Sequence, residues 1–428
     1  MVDRNDRLSG HLIARNVEAL ALATLGDTPV TVIQGAHQVG KSTLALMLAA
    51  QLDSRQVTLD NPSTLQAARE DPVGFVEQYR EGTLIIDEAQ LFPQLMRAIK
   101  LTVDADRRSG RFIVTGSADL LHIAGASESL AGRAETIRLH PFSQGELEGH
   151  KEDFVKTVLS QDPPGGLPHQ ADSPSREDYA AALAKGGYPE AVIREPPRRK
   201  AFFKNYLAGV LDHDAASLSG LAHLDKLGML FSLLSAQTSG ELVKANLARL
   251  VGIPESSMHA YLRLLADLCL IHEIPAWGRN ASKRAVGRTK LSLGDTGLAA
   301  YLNGESAESL AAFSHGEAFG SLLESLAVSE LLKQQTWSSY DYTLYHFRDK
   351  DQREVDMVIE LFDGRVIGLE IKATQTILRK HFSGLRHLRD LLGDRFVCGI
   401  VLYIGQESLP FGDRLYTSPL SALWRRVD

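Results

Sequence analysis

The chain has 428 residues, 44% of them hydrophobic and 23% charged, with a formal net charge of −7. These fractions fit a globular protein of about two to four domains, and the negative charge excludes one that coats nucleic acid over its whole surface, though not a local basic patch. MVDRNDRLSG carries no apolar run behind a basic start, no stretch approaches the ~20 apolar residues of a membrane span, and Cys269 and Cys398 are too far apart for a disulfide framework or zinc site. The expectation is a cytoplasmic protein with two buried thiols.

Val30-Thr31-Val32-Ile33, Gln56-Val57-Thr58-Leu59, Leu84-Ile85-Ile86, Phe112-Ile113-Val114 and Thr136-Ile137-Arg138-Leu139 are short apolar runs. Helix-like stretches such as Ser42 to Leu52 and Gln94 to Val103 separate them. Near-continuous apolar strands alternating with helices predict a parallel sheet covered on both faces.

The first strand runs into Gly35-Ala36-His37-Gln38-Val39-Gly40-Lys41-Ser42, followed by Thr43. This is G-x-x-x-x-G-K-[ST] between a strand and a helix. The glycines let backbone wrap a triphosphate, and the amides of Gly35 to Thr43 and the helix N-terminus point at the anion. Lys41 is placed for the β- and γ-phosphates, and the Ser42 hydroxyl for magnesium. The third strand ends in Asp87-Glu88, and buried carboxylates at a strand end call for a cation. Asp87 is expected to hold magnesium, directly or through water, and Glu88 to polarise the attacking water. ATP and Mg2+ are thus the expected ligands. Ser117, in Thr115-Gly116-Ser117, is placed to orient that water. Arg133, in Ser129-Leu130-Ala131-Gly132-Arg133, is placed to reach the nucleotide of a neighbouring copy, which implies a homo-oligomer.

A stretch rich in Pro, Gly, Ser and Asp, from about Gln161 to Glu177, reads as a linker or long loop. Tyr179 to about Leu234 reads as helical. Leu242 to Leu250, a Gly252 turn and Met258 to Leu268 resemble a helix-turn-helix, with Ser256 as cap. Leu270 to Ile274 and Lys290 to Leu293 form a hairpin, which would make the unit a winged helix. Between Arg279 and Lys290 lie Arg279, Lys283, Arg284, Arg288 and Lys290 with no acidic residue, a pattern suited to DNA phosphates. The second helix is poor in base-reading side chains, so docking of a protein partner stays an equal alternative.

In the last ~110 residues a helix precedes strands at Tyr342 to Phe347, Glu354 to Glu360, Val366 to Lys372 and Val397 to Ile404, with Asp363-Gly364 as a hairpin turn. Strand alternation brings Asp356, Glu370 and Lys372 to one face, and Glu324 sits among apolar neighbours on the preceding helix. Glu324, Asp356 and Glu370 are the expected ligands of a hard cation. Lys372 is the expected water-orienting or charge-stabilising group in phosphodiester hydrolysis.

The phosphate loop and Ile85-Ile86-Asp87-Glu88, with Thr115 to Ser117, Leu130 to Arg133, Gly186-Gly187-Tyr188-Pro189-Glu190 and Lys290 to Asp295, resemble a bacterial and archaeal AAA+ ATPase family with a C-terminal domain of unknown function. That resemblance implies a sensor role for Ser117 and a finger role for Arg133. It identifies no lid arginine near Gly186 to Glu190. Gly320 to Glu324, Arg353 to Asp356 and Glu370-Ile371-Lys372 likewise resemble a PD-(D/E)xK nuclease pattern. The resulting expectation is α/β throughout: an AAA+ P-loop ATPase core at 1–150, a linker and helical lid at 151–222, a winged-helix-like domain at 223–300 and a nuclease-like domain at 301–428. The alternative is an ATP-dependent switch that docks protein partners through a catalytically silent nuclease-like fold.

Overall fold

The computed structural model describes residues 12–117, 130–169, 172–215, 221, 223–278 and 288–425. The chain divides into two compact units, Met1–Gly149 and His150–Asp428.

In the first unit β1 (Val30–Gln34), β2 (Ser54–Thr58), β3 (Thr83–Asp87), β4 (Phe112–Gly116) and β5 (Ala134–Arg138) form one sheet, ordered β2-β3-β4-β1-β5. Every pairing in it is parallel. The central strands β1, β3 and β4 are buried along their whole length, while β2 and β5 at the edges are largely open. That explains why the central runs are continuously apolar and the edge runs are not. Val30, Val32, Leu84, Ile86, Phe112 and Val114 pack against Leu95, Met96, Ile99 and Val103 of the helix Leu95–Ala105. Each such side chain contributes roughly 1.5–3 kcal/mol on burial. The order has one consequence for chemistry. β4 lies between β1 and β3, so Thr115 at its carboxyl end stands between the phosphate loop and Asp87.

In the second unit the helices Leu227–Ala236, Lys244–Val251 and Glu255–Asp267 precede the antiparallel hairpin β6 (Ile271–Ile274) and β7 (Lys290–Leu293). Glu241, between the first two helices, bridges to Lys290. A six-stranded mixed sheet follows, made of β8 (Tyr342–Arg348), β9 (Glu354–Leu361), β10 (Val366–Lys372), β11 (Phe396–Tyr403), β12 (Leu409–Pro410) and β13 (Leu415–Pro419). Its order is β12-β13-β11-β10-β9-β8. β10 and β11 are parallel, and the helix Ser383–Leu392 between them packs Leu385 and Leu388 onto Val358, Val366, Phe396 and Val401. The hairpin joins this sheet at its edge: Ala276 bridges to His346 of β8, and Trp277 N donates to His346 O at 2.6 Å.

The three segments expected at 151–222, 223–300 and 301–428 lie within the second compact unit. The stretch after Gln161, expected as a linker or long loop, is irregular and packs against the sheet, with Leu167 buried and Ser408 Oγ donating to Pro168 O at 3.1 Å. Its polar composition signals a lack of regular structure, which is not the same as a lack of contacts.

Candidate functional site

β1 delivers the loop Gly35–Gly40, and the helix Lys41–Ala49 starts directly behind it. Gly40 has φ of 97°, and a Cβ at Gly35 would lie 2.1 Å from Leu139 O, so side chains at either place would strain or block the wrap. Lys41 is buried, and its Nζ donates to Gly35 O at 3.2 Å and Ala36 O at 3.0 Å. These are the loop's own carbonyls, and the ammonium they hold is aimed into the cradle.

The neighbouring strands complete the site. Ser42 Oγ donates to Asp87 Oδ1 at 3.0 Å, and the Thr115 hydroxyl donates to the same oxygen. Glu88 has a left-handed backbone (φ of 58°), and its N–H donates to Thr115 Oγ1 at 3.2 Å. Positive φ at a non-glycine residue is uncommon and concentrates at functional sites. The Gln90 amide donates to the Glu88 carboxylate, while Ser117 N donates to Gln90 Oε1 at 3.4 Å. The structure therefore brings Lys41, Ser42, Asp87, Glu88 and Ser117 into one neighbourhood. It adds a role for Thr115, named in the sequence only as part of the Ser117 motif, and it adds Gln90, which the sequence reading did not name as a site residue. Ser42 and Asp87 supply two adjacent hard oxygen donors beside the phosphate cradle, a set that fits magnesium.

The loop has a support behind it that sequence reasoning missed entirely. Arg15 donates from Nη1 to Val39 O (3.0 Å), from Nη2 to His140 O (2.6 Å) and from Nε to Glu146 Oε1 (3.0 Å). Glu146 also accepts from Asn16 N at 2.8 Å and Ser143 N at 3.0 Å. The one legible signal was Ser143-x-x-Glu146, a capping box at the start of the helix Gln144–Glu148.

Arg133 stands elsewhere. It precedes β5, its carbonyl accepts from Val30 N at 3.1 Å, and its Nε donates to Asp104 Oδ1 at 2.5 Å. Val30 opens the strand that ends at the phosphate loop. Arg133 is therefore beside the start of β1, at the opposite end of that strand from the nucleotide cradle of its own chain.

In the second unit β9 and β10 pair as far as Leu369↔Met357, where the side chain of Asp356 takes over and accepts from Ile371 N at 2.9 Å. Lys372 Nζ lies 2.6 Å from Glu370 Oε1 and 3.6 Å from Asp356 Oδ2. Glu324, on the helix Gly316–Gln334, also joins the group, paired to Lys290 of β7, whose Nζ is 3.8 Å from Asp356 Oδ1. The structure thus brings together Glu324, Asp356, Glu370 and Lys372, and inserts Lys290 among them. Burial first, and then the neighbouring Asp356 carboxylate, push the pKa of Glu324 and Glu370 up to about 8 against the opposing pull of Lys290 and Lys372.

Two expectations bear on this cluster. Glu324, Asp356 and Glu370 are expected from the sequence to ligate a hard cation, and the Lys290 ammonium stands between two of the three. Among the described residues no three His, Cys, Asp or Glu side chains form a metal-binding group. The basic stretch is also not all available to phosphate. The Lys290 side chain is 13% exposed and committed to the acids, and Arg288 Nη1 is 3.6 Å from Glu241 Oε2. Arg279, Lys283 and Arg284 lie outside the described residues.

Gly186 to Glu190 and Lys290 to Asp295 also meet. Asp295 is buried and accepts from Gly187 N at 2.7 Å and Leu298 N at 2.9 Å. Burial raises its pKa. These two motifs build a structural joint within the second unit.

Residues 27–148 match the family described as AAA domain, residues 176–309 the Domain of unknown function (DUF8612) and residues 319–423 the Domain of unknown function (DUF4143). Two uncharacterized mycobacterial proteins, from Mycobacterium bovis and Mycobacterium tuberculosis, are 27% identical over 417 residues, covering 96% of this chain and 85% of each relative. A Walker-type ATPase of Pyrococcus abyssi is similar in structure at 16% identity and a TM-score of 0.45, over 70% of this chain and 97% of that one. A RuvB mutant of Thermotoga maritima, also at 16% identity, covers 60% of this chain and 88% of its own with a TM-score of 0.28. No described helix is long and apolar enough to cross a membrane.

Proposed function

From the premise that this chain carries an AAA-type ATPase module at 27–148 followed by domains of unknown function, we propose that it binds and hydrolyses ATP with magnesium, as an assembly of its own copies. The observation that carries this reading is the bond from Ser42, next to the cradle lysine Lys41, to Asp87 at the carboxyl end of β3, with Glu88 following in the chain. Lys41 exchanges two loop carbonyls for phosphate oxygens. Ser42 and Asp87 would hold the magnesium, which would supply positive charge against that of the phosphates. Glu88 polarises the attacking water, and Ser117 orients it. Arg133 faces away from its own cradle and serves the nucleotide of a neighbouring copy, exchanging Asp104 for phosphate.

Lys41→Ala tests the reading. Phosphate release is expected to fall by at least about a hundredfold, the usual cost of removing one preorganised charge-stabilising donor. Unchanged nucleotide affinity and turnover in the folded variant would remove the proposal.

The ion-paired cluster favours the switch reading of the second unit. The nuclease-like fold serves as an ATP-timed docking platform, and no step of phosphodiester cleavage is assigned to it. The winged-helix-like part contributes DNA contact through Arg279, Lys283 and Arg284. Neutralising Lys283 and Arg284 together is expected to reduce the salt slope of DNA affinity by about 2, roughly one for each phosphate no longer neutralised. A slope that does not move would assign this surface to a protein partner.

A further inference from the structure

The second unit carries the element order of a metal-dependent nuclease, yet its acidic cluster is filled from an unexpected direction. Lys290 does not belong to the D…E-x-K strands. It opens β7, one arm of the hairpin that follows the three helices. Four backbone connections fix its position. It pairs with Ile274 of β6 and bridges to Glu241. Next to it, Trp277 N donates to His346 O at 2.6 Å, and His346 N donates to Pro275 O at 3.1 Å. His346 Nε2 also lies 2.8 Å from Arg288 O, two residues before Lys290. A carbonyl can only accept, so Nε2–H is the donor there, and burial lowers the pKa of this imidazole.

From this anchored base the side chain reaches Glu324 on the long helix and Asp356 on β9, where it is 13% exposed. A divalent ion bonded to one oxygen of each acid would need ligand distances of about 2.0–2.6 Å. Those positions coincide with the volume held by the Lys290 ammonium. Lys372 guards the other side of Asp356 at 3.6 Å.

We infer that Lys290 is the resident cation of the acidic cluster: delivered by the β6–β7 hairpin, it takes the place a metal ion has in the fold this unit resembles, and it excludes divalent metal for as long as the hairpin is seated. The metal-binding capacity of Glu324, Asp356 and Glu370 is therefore conditional on the hairpin. A partner that lifts the hairpin withdraws the ammonium and exposes three carboxylates. This inference concerns the second unit alone and stands or falls independently of ATP hydrolysis.

The test is Mn2+ binding to the full chain without nucleotide, read by electron paramagnetic resonance. Asp356→Asn serves as the control that separates this cluster from Ser42 and Asp87. The wild-type chain is expected to show no Asp356-dependent Mn2+ uptake. Lys290→Met, which keeps the stem and removes the charge, is expected to bind Mn2+ about tenfold or more tightly than the wild type, and Lys290→Met with Asp356→Asn to lose that gain. Asp356-dependent Mn2+ uptake by the wild type overturns the inference, and so does a folded Lys290→Met with no gain. If Lys290→Met fails to fold, Lys290→Arg decides. A folded protein that still excludes Mn2+ supports a resident cation, and one that takes up Mn2+ refutes it.

Discussion

Glu88→Gln is expected to leave a chain that binds ATP with affinity within a fewfold of the wild type but releases phosphate about 10²–10⁴ times more slowly, the range general-base catalysis contributes. The separation follows from the geometry. Cation binding falls to Ser42 and Asp87, joined at 3.0 Å, and phosphate binding to Lys41 and the loop amides. Glu88 touches neither group. Its backbone is turned into the left-handed region, its N–H is fixed by Thr115, and its carboxylate is held by the Gln90 amide. A glutamine keeps the volume and the backbone constraint but cannot take a proton from water. Nucleotide affinity measured with a fluorescent analogue, together with single-turnover phosphate release, separates the two effects. A Glu88→Gln variant that turns over like the wild type would show that water is activated elsewhere. If affinity fell in step with turnover, the carboxylate would instead belong to the cation site.

The loop, its lysine and the acidic strand end were legible because their chemistry is local: a tight turn, a helix N-terminus and two carboxylates after a buried strand. The apolar runs predicted β1, β3 and β4 closely, since strands buried on both faces have no polar side to confuse the pattern. What the local pattern could not supply was order. That β4 inserts between β1 and β3, placing Thr115 against Asp87, depends on pairings of residues 27 to 28 positions apart. Lys290 shows the same limit more sharply. Next to arginines and a lysine in a turn, it reads as part of a solvated basic wing. What decides its surroundings is the docking of its hairpin on β8, and that follows from Trp277 and His346 rather than from any charge pattern. The predicted cluster of Asp356, Glu370 and Lys372 rested on strand alternation, which is local once the hairpin turn is placed. Its neutralisation by a residue 66 positions before Asp356 in the chain was not visible.

Arg15 is the least advertised residue of the nucleotide module, and its loss is expected to be among the most costly. Its side chain is 6% exposed and that of Glu146 is 1% exposed, so the pair is held in a medium that screens little. Removing one partner of a buried pair strands the other, and Arg15→Met should destabilise the first unit by about 3–5 kcal/mol. Glu146 keeps its Asn16 and Ser143 amide donors, which argues for the lower part of that range. The guanidinium also lies 4.6 Å from the centre of the Phe142 ring, an interaction that methionine only partly replaces. The functional consequence is separate. Arg15 is the group that ties Val39 O, at the back of the phosphate loop, to His140 O. Without it the loop keeps every phosphate-binding atom but not its preset geometry, so the KM for ATP should rise with little change in kcat. Urea unfolding, with and without ATP, measures the first effect and steady-state kinetics the second. Converting the pair together, as Arg15→Met with Glu146→Gln, should recover part of the stability, because no charge is left buried alone. It should recover none of the KM, because the link to Val39 is still absent. Full recovery of both would mean that the pair acts only as structural filling, and that the loop holds its own shape.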